Sequence, residues 1–367
     1  MRIAQVTPRF GPSGGIVANV RETSRRLIAR GHEVQIFTSQ EVGTDDGSEP
    51  FPIHRFWRYP TKTGFLFGAT RALVDYRPDV IHAHSHRYGH VLQAAHAAAR
   101  LRCRLVVSLH YHPAPRGWPI SFAARALDRW FRSVYRRDYV RVIAQTEIER
   151  GLVRSLVPPE HLLLVPPGLD LSEWDLPDPV TRAPGLPSDY VVYAGRIDPS
   201  KGIDVLLSAL AAVPAERRPA FALVGPDFGA RDRLSAIARQ LGVAGSVFWL
   251  GYLPDRSEYR RVLRQARALV HPSRWEAYGL VLLDAMAAHT PIIATAAGAI
   301  PEVLGEGRYG TLVPYGDVAA LTRALEALRD EPDRSRQIAD AAAAHVGEFD
   351  WSRVVEKLER AYGLSVP

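Results

Sequence analysis

The sequence is poor in cysteine and has no long apolar run. Its 367 residues contain one cysteine, Cys103, so no disulfide can form within the chain, which fits a reducing compartment. Cys103 stands in LRCRLVVSL, where a small core residue is the simplest interpretation. No apolar run is long enough to cross a bilayer as a helix, and Pro8 and Arg9 interrupt the opening stretch, so no signal peptide is predicted. The sequence therefore predicts a cytoplasmic protein.

Two sequence patterns are missing at places that matter for function. The glycine-rich turn GPSGG, residues 11–15, follows the first apolar run but lacks the G-x-G-x-x-G spacing, which weighs against a dinucleotide dehydrogenase. The second half contains no D-x-D between its predicted strands, which favours chemistry without a metal ion. We expect no metal site and no cofactor.

The chain is long enough for two domains, and short β-branched runs alternate with helical patterns throughout. This alternation predicts parallel sheets with right-handed crossovers. Prolines concentrate in residues 176–189, which indicates a linker. We therefore predict two doubly wound α/β domains facing each other across a cleft. Their predicted bounds are residues 1–178 and 189–347, with a linker over 179–188 and a terminal helix over 348–367 that returns to the first domain.

Positive charge is concentrated in the first half of the chain. Residues 51–154 hold 18 basic and 6 acidic side chains, a net charge of +12, whereas residues 181–367 hold 22 of each. HRFWRYPTKTGFLFG and SFAARALDRWFRSVYRRDYVR interleave arginine with aromatic residues, as interfacial surfaces do. The hypothesis is peripheral binding to an acidic membrane, with a lipid-linked acceptor. The alternative is that the aromatics are core residues and the arginines are merely solvated. Nucleic acid is not expected, because no binding motif accompanies the charge.

Ligands of open α/β sheets bind beyond the carboxyl ends of the strands, so the turns after the strands are the candidate sites. Gly14 and Gly15 open the first helix, where free N–H groups favour an anion, although a plain tight turn fits as well. In GRIDPSKG, residues 195–202, Arg196 and Lys201 suit a diphosphate, with a structural ion pair as the alternative.

Two carboxylates bracket an apolar run in WEAYGLVLLDAMA. Glu276 is predicted to lie in a loop before a helix that starts near Gly279, and the N–H groups of Gly279 and Leu280 are then free for a phosphate. Asp284 lies more than a turn into that helix, where it could accept from a vicinal diol. The helix dipole alone would explain an acidic residue at the helix start, but not Asp284 among apolar neighbours.

The combination of GRIDPSKG with E-x7-D in WEAYGLVLLDAMAAHTPIIATAAGAIPEVL resembles the retaining, nucleotide-sugar-dependent glycosyltransferases of family 4, with the GT-B fold. The likeness covers nearly the whole chain. It implies hexosyl transfer from a UDP-, GDP- or ADP-sugar to a sugar, lipid-linked or other small acceptor, with retention and without a metal.

The resemblance also implies roles for single residues. Arg196 and Lys201, with Gly195 before them, match the basic pair on the donor diphosphate, and Glu276 matches the first carboxylate, near the transferred sugar. Asp284 matches the second, on the ribose.

The other matching positions are mostly backbone groups. Gly279 and Leu280 match the backbone donors to phosphate, Gly14 and Gly15 match the loop that approaches the diphosphate, and His110 matches a histidine near the reaction centre. The resemblance implies that the departing phosphate acts as the base, and Glu276 is not assigned as a covalent nucleophile.

The sequence departs from the family pattern twice. Aspartate replaces the second glutamate, and Gly298-Ala299 replaces the usual double glycine. The first change alters how the ribose is held, and the second narrows the approach of the backbone to the sugar.

Three alternatives stay open, one for a metal site and two for the function of the whole chain. His82, His84 and His86 alternate on a predicted strand end, where a zinc site is conceivable, but a polar lining is favoured because no cysteine or carboxylate lies nearby in the sequence. For the whole chain, a nucleotide-sugar 2-epimerase and a non-catalytic nucleotide-sugar binding protein share the expected architecture. Turnover without an acceptor, or binding without transfer, would distinguish them.

Overall fold

The computed structural model describes residues 1–11, 14–40, 47–59, 64–110, 118–175 and 185–364, with the backbone alone for 118–125. By its internal contacts the chain divides into two units, Met1–Gly168 with Trp351–Pro367, and Leu169–Asp350. The predicted boundary at 178 lies later in the chain than this division, and most of the predicted linker falls outside the described residues.

The first unit is built on a seven-stranded parallel sheet in the order β3-β2-β1-β6-β7-β8-β9, with a separate antiparallel pair β4-β5. Its strands are β1 (Arg2–Val6), β2 (Glu33–Ser39), β3 (Ile53–Phe56), β4 (Arg58–Tyr59), β5 (Phe65–Leu66), β6 (Val80–His84), β7 (Arg104–Ser108), β8 (Val140–Ala144) and β9 (Leu162–Leu164). Its first helices are α1 (Gly15–Ala29), α2 (Ala69–Tyr76), α3 (Gly89–Leu101), α4 (Trp118–Tyr135) and α5 (Glu147–Val153). The apolar runs of the sequence predict six of the seven sheet strands, because strands buried on both faces read as continuous β-branched stretches.

The second unit is built on a six-stranded parallel sheet in the order β12-β11-β10-β13-β14-β15. Its strands are β10 (Tyr190–Ala194), β11 (Ala220–Val224), β12 (Val247–Gly251), β13 (Ala268–His271), β14 (Ile292–Thr295) and β15 (Thr311–Val313). Its helices are α6 (Leu171–Asp175), α7 (Ile203–Ala212), α8 (Arg231–Gln240), α9 (Arg256–Gln265), α10 (Leu280–Ala287), α11 (Ile300–Val303), α12 (Val318–Asp330) and α13 (Pro332–His345).

Each sheet is covered on both faces, which defines two doubly wound α/β units as predicted. In the second unit, α7, α8 and α12 pack on one face, and α6, α9, α10, α11 and α13 contribute to the core on the other. Trp174 of α6 is buried in that second core, and its backbone oxygen accepts a hydrogen bond from Arg264. Residues 169–175 therefore pack with the second unit.

The last helix, α14 (Trp351–Tyr362), packs in the first unit. It shares a core with Ile3 and Val106 on the sheet face that α1 also covers. Glu359 accepts two hydrogen bonds from the Arg30 guanidinium, both of 2.8 Å. The chain end thus completes the core of the unit in which the chain begins.

The G-x-G-x-x-G spacing that GPSGG lacks occurs elsewhere in the chain, at residues 305–310, between α11 and β15. A dinucleotide-binding turn follows a strand and opens a helix, so this placement does not match one.

Candidate functional site

The candidate site of the second unit lies beyond the carboxyl ends of β10 and β13, which are neighbours in the sheet. The turn after β10 begins at Gly195 and Arg196, and a short 3-10 helix, Pro199–Lys201, follows it. Asp198 caps this short helix by accepting from the backbone N–H of Ser200 at 2.9 Å. The turn therefore has a defined conformation, which places Lys201 near the carboxyl end of β10.

Gly202 brings this turn close to the loop after β13. Its φ is +64°, and a Cβ at this position would lie 2.1 Å from the carbonyl oxygen of Pro272. Only glycine permits both the backbone conformation and this approach. Lys201, next to it, is consequently pressed against the residues that follow β13, with 9% of its surface exposed.

Lys201 and Glu276 form a close pair. The Lys201 ammonium donates to Glu276 Oε1 at 2.6 Å. The same oxygen accepts from the His271 ring at 2.9 Å and from the Ser273 hydroxyl at 3.1 Å. Burial by itself would raise the pKa of Glu276, but the hydrogen bond and charge of His271, with those of Lys201, outweigh it and lower the pKa to about 2. Glu276 is therefore held as an anion and is a weak base.

The loop that carries Glu276 rests on the turn after β14. The N–H of Ala299 donates to the carbonyl oxygen of Glu276 at 3.0 Å. Gly298 has a φ of +61°, and a Cβ there would lie 2.1 Å from that same oxygen. The Gly298-Ala299 turn therefore packs against the backbone of Glu276 and holds it in place. The sequence did not predict this role.

Helix α10 begins directly after this loop, as the sequence predicts. Gly279 precedes it with a φ of +89° and has no side chain that could cap the helix. The N–H of Leu282 already donates to the Gly279 oxygen at 2.9 Å, so among the described residues the N–H groups of Leu280 and Val281 are the ones available to an anion at this helix start.

Arg196 is held differently from Lys201. About half of its side chain is exposed, and its guanidinium lies 3.3 Å from Asp198 and stacks over the Phe228 ring at 5.4 Å. Because Asp198 also caps the turn of Lys201, one carboxylate organises both basic residues. The Arg196 side chain keeps an exposed position from which an anionic ligand can be bound.

Asp284 has partners that the sequence did not indicate. Its Oδ2 accepts from the Tyr259 hydroxyl at 2.8 Å, and its Oδ1 lies 3.7 Å from the guanidinium of Arg256. Burial raises the pKa of Asp284, while Arg256 and the Tyr259 hydrogen bond oppose that rise. About 15% of the side chain remains exposed. Asp284 thus links α10 to α9 and keeps only part of its surface for a ligand.

In the first unit, a row of polar side chains follows the carboxyl ends of the strands. His110, after β7, is 8% exposed and has a φ of +43°, an unusual value for a residue other than glycine. Its ring lies 3.2 Å from His84 and 3.2 Å from Gln145, and His84 in turn bonds Gln5 at 2.8 Å. These contacts on both ring nitrogens hold the His110 ring in one orientation.

The histidines proposed as possible zinc ligands are used for hydrogen bonding. His82 bonds Tyr362 and Ser108, whereas His86 bonds Tyr135 and lies 3.3 Å from Asp128, away from His84. Burial, followed by the charge of His110, lowers the pKa of His82 to about 3. Within the described residues, no group of three or more His, Cys, Asp or Glu side chains is arranged to hold a metal ion.

Gly14 and Gly15 lie where α1 begins. Gly14 has a φ of +124° and no side chain caps the helix, while Pro12 and Ser13 lie outside the described residues. Their predicted approach to a diphosphate stays a prediction.

The residues that sequence reasoning missed are chiefly His271, Ser273, Tyr259 and Arg256. Of these, only His271 and Ser273 had a signal, as polar residues at the end of a buried strand.

Two family models match the chain. Residues 13–173 match the model described as Glycosyltransferase Family 4, and residues 183–345 match Glycosyl transferases group 1. The D-inositol 3-phosphate glycosyltransferase of Streptomyces scabiei is 31% identical over 94% of this chain and 85% of its own. That of Actinosynnema mirum is 31% identical over 97% and 93%.

Solved structures with this fold are also similar. HepE of Anabaena, in complex with UDP, has a TM-score of 0.82 at 21% identity, covering 99% of this chain and 100% of that one. Sucrose-phosphate synthase of Thermosynechococcus elongatus has a TM-score of 0.77 at 23% identity, covering 99% and 98%. At these identities the likeness supports the GT-B fold.

The chain belongs to the family 4 glycosyltransferases, and its fold is GT-B. It is therefore a glycosyltransferase that uses a nucleotide-sugar donor. The resemblance seen in the sequence is confirmed, and neither the epimerase nor the non-catalytic alternative is favoured.

Proposed function

We propose that the chain transfers a hexosyl unit from a nucleotide-diphosphate sugar to a hydroxylated acceptor, with retention of anomeric configuration and without a metal ion. The observation that carries this proposal is the Lys201–Glu276 pair beyond β10 and β13, with Arg196 on the same turn as Lys201. Cations preorganised at this edge stabilise the charge that develops on a departing diphosphate.

The state of Glu276 supports front-face attack. In the proposed step the bond from the anomeric carbon to the diphosphate breaks, the acceptor oxygen bonds to the same face, and the acceptor proton passes to the departing phosphate. Glu276 Oε1 already accepts three hydrogen bonds, and its pKa of about 2 makes it a poor proton acceptor. The departing phosphate is then the better base, as the family resemblance implies.

The remaining roles are assigned by position. We propose that Arg196, Lys201 and the N–H groups of Gly279 and Leu280 bind the diphosphate, and that Glu276 contacts the transferred sugar. Asp284 is proposed for the ribose. Gly14, Gly15 and His110 of the first unit are proposed to complete the donor and sugar site.

The proposal is tested on the product. A thermal-shift panel of UDP-, GDP- and ADP-sugars identifies the donor, because a true donor stabilises the fold by mass action. UDP-sugars come first, since the HepE structure is a UDP complex. The anomeric proton coupling of the product then reports its configuration. An α-linked product from an α-linked donor, formed equally with EDTA present, is expected. A β-linked product overturns retention, and loss of turnover with EDTA overturns metal independence.

Two acceptor classes enter that assay. The names of the relatives point to D-inositol 3-phosphate, whereas the basic, aromatic stretch of the first unit favours a lipid-linked acceptor.

We further propose peripheral binding of the chain to the acidic inner face of the membrane. Arg129 and Arg132 of α4, and Arg136 directly after it, are exposed, near the half-exposed Trp130 in the sequence. No described helix is long and apolar enough to cross a membrane.

Asp284→Asn is expected to weaken donor binding by about tenfold or more, because a hydrogen bond to a charged group contributes roughly 1.5–3 kcal/mol. Asparagine can still accept from Tyr259, so the fold around α10 should be kept. Titration calorimetry with the identified donor measures the change. Tyr252→Phe, at an exposed tyrosine of the same unit, serves as the control. If Asp284→Asn binds donor like the wild type, Asp284 only joins α9 to α10.

A further inference from the structure

The strands β4 and β5 form a small hairpin whose aromatic side chains share one face. Arg58 pairs with Leu66 and Tyr59 with Phe65, and the N–H of Phe67 donates to the oxygen of Trp57 at 2.8 Å. Directly opposite residues of an antiparallel pair lie on the same face, and alternate residues return to it. Trp57, Tyr59, Phe65 and Phe67 therefore form one ladder, named here the aromatic hairpin.

This ladder is exposed to solvent. The exposed fractions are 68% for Trp57, 66% for Tyr59, 43% for Phe65 and 81% for Phe67. Single exposed apolar residues are ordinary, but four contiguous aromatic ones indicate a surface with a partner.

The other face of the hairpin is fixed to the unit. Leu66 is fully buried in the core, and the Gln93 side chain makes two hydrogen bonds with the Leu66 backbone, of 2.8 and 2.7 Å. The guanidinium of Arg58 donates to the oxygen of Pro8 at 3.3 Å. The aromatic hairpin is thus held in place from one side and presents its ladder on the other.

The sequence around the aromatic hairpin is basic. Residues 51–74 contain four basic and no acidic residues, of which Lys62 lies outside the described part of the chain. The hairpin continues into α4 through its neighbours, because Gly64 lies against Tyr88, and Arg87 makes two hydrogen bonds to Asp128 of α4, of 2.8 and 2.6 Å. Arg129 and Arg132 of α4, and Arg136 directly after it, are exposed. A chain of contacts therefore connects the aromatic hairpin to α4, the helix that carries exposed arginines.

We propose that the aromatic hairpin inserts its ladder into the interfacial layer of an acidic bilayer, while the arginines beside it contact headgroup phosphates. The proposal deepens, and rests on, the peripheral membrane binding proposed above. Tryptophan, tyrosine and phenylalanine partition to the level of the headgroups, and each nearby arginine adds attraction to anionic lipid.

Two other occupants fit the charge less well. A second copy of this chain would bring two regions of net charge +12 together. A single-stranded nucleic acid would need cations along the aromatic face itself, whereas Arg58 is turned away from that face.

The test is co-sedimentation of the full chain with vesicles of phosphatidylcholine, alone or mixed with phosphatidylglycerol. Trp57→Ser with Phe67→Ser is expected to raise the apparent Kd for the mixed vesicles at least tenfold. Ile148→Ser with Leu152→Ser removes two exposed apolar side chains from α5 of the same unit and is expected to change it less than twofold. Trp57→Phe should keep binding and lose part of the fluorescence quenching by brominated lipid, which guards against a misfolded double variant.

Each outcome has a separate meaning. If the wild type does not bind mixed vesicles, peripheral membrane binding fails as a whole. If it binds and the hairpin variant binds equally, only the role of the hairpin is overturned. A dimer seen by light scattering, or oligonucleotide binding, that is lost in the hairpin variant assigns the face to those partners instead. Transfer to a soluble acceptor should be unchanged in every variant, so the transferase proposal stands apart from this test.

Discussion

Lys201→Ala is expected to lower kcat/KM for the donor by roughly 10²–10³-fold, the loss typical when one preorganised group at a developing charge is removed. The ammonium of Lys201 is largely buried and fixed at 2.6 Å from Glu276. It therefore needs little reorganisation when negative charge develops on the diphosphate. Steady-state kinetics with the donor found in the thermal-shift panel measures the effect.

The matched control is Lys357→Ala, on α14 of the first unit. It removes a lysine of intermediate burial that the proposed site does not use, so turnover should be unchanged. Melting curves separate loss of the fold from loss of the site, since Glu276 keeps His271 and Ser273 as partners in Lys201→Ala. Turnover of Lys201→Ala at the wild-type rate would refute the diphosphate assignment.

Much of the fold follows from the sequence because its sheets are parallel. Most of their strands are covered on both sides, so most of them appear as apolar runs that can be found without tertiary information. The strands β3, β4 and β5 were not predicted. β3 is an edge strand, and the β4–β5 pair is covered on one face only, so these strands include Arg55, Arg58 and partly exposed aromatics. They therefore lack the continuous apolar run by which the other strands were found.

For the aromatic residues of the basic stretch, residues 51–154, the sequence pattern does not decide between core and surface positions. The sequence left open whether they are core or surface. In α4, Phe131 and Tyr135 are fully buried, while Trp130, next to Phe131, is 40% exposed, so both alternatives hold within one helix. In the hairpin, the exposed ladder depends on the pairing of residues 57–59 with residues 65–67. The register of two paired strands cannot be predicted from their composition.

The candidate site was predicted in its residues but not in its contacts. Family resemblance indicated Lys201 and Glu276, yet their pairing spans 75 positions and depends on how closely Gly202 approaches Pro272. The partners of Asp284 come from α9, whose polar sequence gave no sign that Tyr259 and Arg256 contact this carboxylate. Long-range approach of this kind is set by packing, which a single sequence does not record.

Gly298→Ala is expected to lower both the stability of the fold and the activity of the site. A left-handed backbone costs an alanine about 1–2 kcal/mol, and a forced close contact costs about 1–3 kcal/mol more. The new Cβ would lie 2.1 Å from the carbonyl oxygen of Glu276, so the loop must move. A displacement of about 1 Å in a catalytic group can cost 10²-fold in rate. Both the melting temperature and kcat/KM should therefore fall.

Gly242→Ala is the control that separates the two causes. Gly242 has a φ of +69°, close to that of Gly298, but no atom of the described residues lies within 4 Å of its added Cβ. It follows α8, ahead of the strand β12, so its backbone cost should appear in the melting temperature alone. The extra loss in Gly298→Ala then measures the support of Glu276 by the turn after β14. Equal effects of the two substitutions on kcat/KM would show that this turn has no part in placing Glu276.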